Sequence, residues 1–155
     1  MLSISSSFRH GFVGPLLALA FVAGIAACGS DNNSTGPGDV SGDYTLQSVG
    51  GNPLPYAFPN SSDNIVVTSA TLHLNTDHSY SVSAAGSANG SADDNVIADA
   101  GTYSLSGSTV SFSSTTFPGA HYTAAATSTS ITANAPGAFV SSSNTSFSFL
   151  FSKSN

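Results

Sequence analysis

The sequence has no tryptophan and no glutamate, one cysteine, one methionine, and only two strong bases, Arg9 and Lys153. Each shortage removes something. A single cysteine allows no intramolecular disulfide, so stability has to come from core packing. Two bases against eight aspartates leave a formal charge of −6. A surface of that kind has no electrostatic grip on phosphates, which argues against nucleic acid as a partner. It has equally little attraction for anionic lipid head groups. Charged residues make up 6% of the chain, too few for the charged outer faces and i,i+4 pairs of soluble helices. What is abundant points the other way. Ser and Thr exceed a quarter of the residues. Thr, Val, Tyr and Phe suit a pleated surface, and Ser, Gly and Asn suit its turns. The composition predicts an all-β protein.

The first residues form a different kind of segment. Arg9 and His10 precede an apolar stretch from Gly11 to Ala27 that contains Pro15 and three glycines. It is shorter than the ~20 residues of a permanent spanning helix, and its order is that of a secretory signal. Ile25-Ala26-Ala27-Cys28 closes it. This resembles the lipobox of bacterial lipoprotein signals. The resemblance implies cleavage before Cys28, a diacylglyceryl thioether on its sulfur and further acylation of its amine, with fatty chains of the palmitate type. Two or three such chains hold a protein on a membrane stably. The expected organisation is therefore a signal peptide over 1–27, a lipidated flexible tether over 28–39 (GSDNNSTGPGD after the cysteine), and one domain over 40–155. Gly29 after Cys28, in place of Asp, implies the outer membrane where the host has one.

From Val40 onward, period-two alternation recurs between turn signals. It predicts eight strands at about 43–49, 65–74, 79–85, 96–105, 108–114, 120–127, 129–134 and 145–152. Short connections make successive strands neighbours, and eight strands suffice to close an up-and-down antiparallel barrel. A β-sandwich is the rival fold. The alternation also proposes an interior. Tyr44 and Leu46 share a face, as do Leu72 and Leu74, Tyr80 and Val82, Tyr103 and Leu105, and Val110 and Phe112. Phe147, Phe149 and Phe151 form the clearest stripe.

Gly42-Asp43-Tyr44-Thr45-Leu46-Gln47-Ser48-Val49-Gly50-Gly51-Asn52-Pro53-Leu54-Pro55 resembles the opening of bacterial lipocalin-like lipoproteins, G-x-Y-x-L-x-S-V-N-G-x-P-L-P. Leu72 to Tyr80 is similar to their L-x-L-x-x-D-G-T-Y hairpin, with His78 where the family has Gly, which argues for a changed turn type. Gly101 to Gly107 resembles their second G-x-Y hairpin. The likeness runs from about Ser41 to Lys153 and implies the eight-stranded calycin-type barrel. True lipocalins place Trp where Tyr44 stands, closed by an Arg. Here Lys153 is the available cation for a Lys–Tyr contact.

Such a barrel is either packed solid or hollow enough for one ligand. In the hollow case the ligand-binding residues are Tyr44, Tyr80, Tyr103, Phe112, Phe147 and Phe149. Tyr56 and Phe58, from the long Gly50–Asn64 connection, line the mouth; in the packed case they cap a filled core. Strict alternation puts Asp99 inside, facing a polar group. A bulge at Gly101 that turns it outward is the favoured expectation. Asp93 and Asp94 lack the spacing of a calcium loop. His73, His78 and His121 lack that of a zinc site and are expected on the surface. There is no G-x-S-x-G elbow, phosphate loop or paired carboxylate acid and base, so neither enzyme activity, a metal nor a cofactor is expected. The leading reading is an envelope lipoprotein, monomeric, held by acyl chains on Cys28, whose lipocalin-like domain binds a small apolar ligand. The alternative is a non-enzymatic surface module with a solid core that binds a protein or glycan.

Overall fold

Alternating Ser/Thr and apolar residues become strands along nearly the whole domain. The structure is a computed structural model describing residues 36–136 and 145–155. The expected signal peptide, Cys28 and the tether up to residue 35 lie outside the described residues. The first strand, β1 (Gly42–Val49), is followed by two short ones, β2 (Asn52–Pro53) and β3 (Tyr56–Ala57). Then come β4 (Val66–Leu74), β5 (Ser79–Ala88), β6 (Ser91–Ser106) and β7 (Thr109–Ser114). The last are β8 (His121–Ala126), β9 (Ser130–Pro136) and β10 (Ser146–Lys153). Among the described residues no helix is long and apolar enough to cross a membrane.

Hydrogen bonding runs β1-β10-β9-β8-β7-β6-β5-β4, and β4 pairs back onto β1. The result is a closed eight-stranded antiparallel barrel in up-and-down order, with β2 and β3 as short additions on β1 and β4. Closure leaves the eight strands without a free edge. Cross-strand registers place the same faces together: Tyr44 pairs with Lys153 on one side and Leu72 on the other. The proposed interior is the interior. Tyr44, Leu46, Leu72, Leu74, Tyr80, Tyr103, Val110, Phe112, Phe147 and Phe151 are buried, and Val82, Leu105 and Phe149 pack against them half-buried.

The end of the barrel carrying the turns 75–78, 107–108 and 127–129 also receives both domain termini. Val40 is buried there, and Tyr44 Oη donates to its carbonyl at 2.7 Å. Ser154 N donates to Asp43 O at 2.7 Å. Lys153 Nζ lies 5.7 Å from the Tyr44 ring centroid, so the Lys–Tyr contact is formed. His78 adopts a left-handed φ of 66°. The imidazole residue thus takes up a conformation that glycine would adopt without strain.

Two expectations change. The chain from 86 to 95 is not a loop: β5 and β6 run on to a two-residue turn at Asn89-Gly90, whose φ values of 50° and 80° are both positive. This is the Asn-Gly signal for a tight hairpin, and it brings Asp93 onto strand β6 opposite Gly86. The irregularity in this pair falls between Ala84 and Gly86. The second correction concerns Gly101. The β5–β6 register is continuous from Ser79–Thr102 to Ala84–Ile97, so no bulge occurs there and Asp99 stays inside. Glycine is needed at 101 for another reason: an added Cβ would lie 2.0 Å from Ser113 O and 3.0 Å from Tyr80 Cε1. Gly101 lets β7 approach beneath the Tyr80 ring. Gly101→Ala is expected to lower stability by about 1–3 kcal/mol through overpacking, read as a lower urea midpoint with an unchanged m-value.

Candidate functional site

The eight aromatic residues proposed as a ligand site are spread along the barrel, at both ends and in the layer between, with the Tyr103 and Phe112 rings 6.4 Å apart. At the end carrying the 50–65 connection, Phe58 is buried and meets Phe147 edge-on at 5.0 Å; Phe149 lies at 6.2 Å. Tyr56, half-buried on β3, meets Phe58 edge-on at 5.0 Å. These rings plug their end of the barrel as a cap. At the other end Tyr44 is closed over by Lys153. Tyr103 donates its hydroxyl to Asn75 O at 2.7 Å, with the His78 ring 5.5 Å away. Between the ends, Tyr80 meets Phe112 edge-on at 4.9 Å, and Phe112 stacks on Tyr122 at 4.9 Å with 17° between planes.

That middle layer holds the main polar feature of the interior. Asp99 is 5% exposed. Its Oδ2 accepts hydrogen bonds from Tyr80 Oη at 2.7 Å and Tyr122 Oη at 2.8 Å, and its Oδ1 accepts from Ser114 Oγ at 2.5 Å. Ser114 Oγ in turn accepts from Phe117 N at 2.8 Å. The two phenol oxygens are 3.2 Å apart. Every buried side-chain nitrogen or oxygen among the described residues has a partner. A buried carboxyl group without a base beside it is stable only when donors surround it, and three hydroxyls from β5, β7 and β8 do that here.

Tyr122 and Ser114 had not been singled out from the sequence. The signal was present, because alternation in His121-Tyr122-Thr123-Ala124 puts Tyr122 and Ala124 on the inner face. An alanine-rich strand shows no aromatic stripe to draw attention to it.

Next to this cluster lies a cavity of about 50 Å³, lined by Leu72, Val82, Ile97, Phe112 and Phe149 among others, with Asp99 and Tyr122 at its edge. Pockets for small organic ligands span roughly 300–1,000 Å³, whereas a water needs on the order of 10–15 Å³. The cavity has room for a few waters. Chemically the cluster offers a fixed carboxyl and two phenols but no room for a reactant beside them.

Outside the barrel, His73 Nδ1 and Asp43 Oδ1 form an exposed pair at 2.5 Å. His121 is hydrogen-bonded through Nδ1 to Ser113 Oγ at 2.8 Å. Asp93 Oδ1 caps Asn95 N at 2.8 Å within β6. Among the described residues no group of three or more His, Cys, Asp or Glu side chains is placed to hold a metal ion.

The phenols make the barrel sensitive to alkali. Burial pushes Tyr80 well above the ordinary tyrosine value, with Asp99 adding to the shift. Burial raises Tyr122 further, helped by its neighbours Tyr80 and Asp99. Groups raised in the folded state favour folding while both states are protonated. That advantage is lost once the unfolded chain ionises, above about pH 10. Thermal melts are therefore expected to hold up to about pH 9.5 and fall steeply beyond it, with the 295 nm phenolate absorbance of the buried tyrosines appearing only on unfolding. Asp99→Ala strands three hydroxyl donors and is expected to cost about 2–4 kcal/mol, measured by urea denaturation. Comparison with known protein families, curated proteins and solved structures gave no match to this chain.

Proposed function

We propose that this chain is a lipid-anchored envelope lipoprotein of the lipocalin-like type, and that its barrel works through its outer surface without catalysis. The observation that carries the second half is the packed interior. A cavity of about 50 Å³, plugged by Phe58, Phe147 and Phe149 at one end, is far below the size of a ligand site. It favours the surface module over the carrier of a small apolar molecule. The first half rests on Ile25-Ala26-Ala27-Cys28 after an apolar stretch, followed by a polar tether. The start of the domain fits the same reading. The chain enters the barrel at Val40, at the same end as the C-terminus, and the cap formed by Tyr56 and Phe58 belongs to the opposite end of the barrel. Gly29 after the cysteine favours the outer membrane where the host has one.

Two measurements test the halves separately. In a bacterial host fed an alkyne fatty acid, the wild type should be labelled and sediment with membranes, and Cys28→Ala should lose both properties. A Cys28→Ala protein that stays labelled and membrane-bound sinks the anchor. Native mass spectrometry after exposure to host envelope lipid extract should show no interior ligand. A reproducible bound apolar mass, lost on Phe149→Asp, would restore the carrier reading.

A further inference from the structure

The outer face of the barrel is not uniform. Alternation that sends aromatics inward sends their neighbours outward, and from Thr102 of β6 through β10 most of those neighbours carry hydroxyls or amides, Ala125, Pro136 and Leu150 being exceptions. One cross-strand rung reads Ser104, Ser111, Thr123, Asn134 and Ser148. The next reads Thr102, Ser113 and His121. All of these but Ser148 line a trough of about 530 Å³, bounded at one side by Pro136 and Ser146. Its volume falls within the roughly 300–1,000 Å³ typical of small-molecule sites, about ten times that of the interior cavity.

Three properties restrict what would fill it. Among the described lining residues none is Asp, Glu, Lys or Arg, so a charged ligand finds no counter-ion. Among the described lining residues the one apolar side chain on the outer face is Pro136, at the rim, because Tyr103, Phe112 and Tyr122 turn their rings inward. An apolar ligand would therefore gain little buried area. What remains is a dense array of groups that both donate and accept. Each Ser or Thr hydroxyl does both, and so does the Asn134 amide. The Ser113–His121 hydrogen bond at 2.8 Å fixes the imidazole and leaves its other nitrogen for a partner.

Rungs on neighbouring strands repeat at about 4.8 Å, similar to the separation of alternate equatorial hydroxyls on a pyranose ring. Hydroxyl groups on a rigid sheet lose little rotamer freedom on binding, which suits a ligand whose own groups are hydroxyls.

We infer that this trough is a binding site for a neutral glycan, at the scale of a mono- or disaccharide unit. The inference rests on the surface-module reading and names its ligand class. With no aromatic platform among the described lining residues, affinity for one unit is set by hydrogen bonds, near a Kd of about 1 mM. Many anchored copies facing one polysaccharide would bind it by avidity.

The test uses the full chain in detergent, with maltotriose and triacetylchitotriose as neutral probes and trigalacturonate as the charged one. Saturation-transfer NMR should show transfer to at least one neutral trisaccharide and none to the acidic one. Amide shifts should move along Ser104, Ser111, Thr123 and Asn134 and stay fixed around the Tyr56–Phe58 cap, a readout that needs no variant. Thr123→Val and Asn134→Ala, both on the exposed face, should leave the melting temperature unchanged and weaken binding about tenfold each, the loss of one good hydrogen bond. Failure of both neutral probes overturns the assignment, as does equal transfer to trigalacturonate, shifts that map elsewhere, or undiminished binding by both variants. If that happens while Cys28 labelling persists and no apolar mass is bound, the trough alone is at fault. A bound apolar mass removes the reading beneath it.

Discussion

Strand β1 has to be hydrogen-bonded on both sides at once, to β10 through Tyr44–Lys153 and to β4 through Tyr44–Leu72. Everything else depends on that double pairing. A single slip of one residue on either side would turn Tyr44 outward and every inner residue of its neighbour with it. The pairing is held by groups that converge on Tyr44: the Val40 carbonyl on its hydroxyl and Lys153 over its ring. Closure also explains why so polar a chain can stay folded. With no edges to satisfy, serine- and threonine-rich strands need only one apolar face, and the barrel supplies a shared interior for all eight of them.

The interior is then filled in layers, and the middle layer is built around a carboxyl group. Asp99 could have been a liability in a barrel whose described residues include one strong base, Lys153, committed to Tyr44 at the end. Hydroxyl donors solve this without a base beside the carboxyl group. Tyr80, Tyr122 and Ser114 come from three different strands, so satisfying Asp99 requires β5, β7 and β8 to be in register together. A polar group with such partners specifies one arrangement where an all-apolar layer would accept several.

Much of this was legible in the residues. Period-two alternation located the eight barrel strands to within a few positions, because each buries one face and exposes the other. The inner faces of Tyr44, Leu72, Tyr103, Phe112 and Phe151 followed from parity alone. Where the reading went astray, a local signal competed with a long-range one. Gly86 and the adjacent Asp93 and Asp94 have poor strand propensity, and they obscured the Asn89-Gly90 turn that extends the hairpin. Gly101 suggests a bulge from sequence because a strand glycine often marks one. Its purpose is to admit the backbone of β7, and no single-strand pattern reveals the approach of a third strand. Whether the aromatics enclose a guest or one another was equally out of reach, since parity says which way a ring points and not what it meets.

Asp99 and its hydroxyls bear on the medium around the protein. Dissolved salt weakens attraction between charges over a Debye length of about 10 Å at 0.1 M, but leaves short hydrogen bonds from neutral donors almost untouched. The hydrogen-bonded contact between His73 and Asp43 is exposed, and exposed contacts of this kind contribute only on the order of 0–1 kcal/mol. The hydrogen bonds that hold this interior layer together draw little on attraction between opposite charges. The layer around Asp99 can therefore pass from dilute to briny surroundings with its packing unchanged.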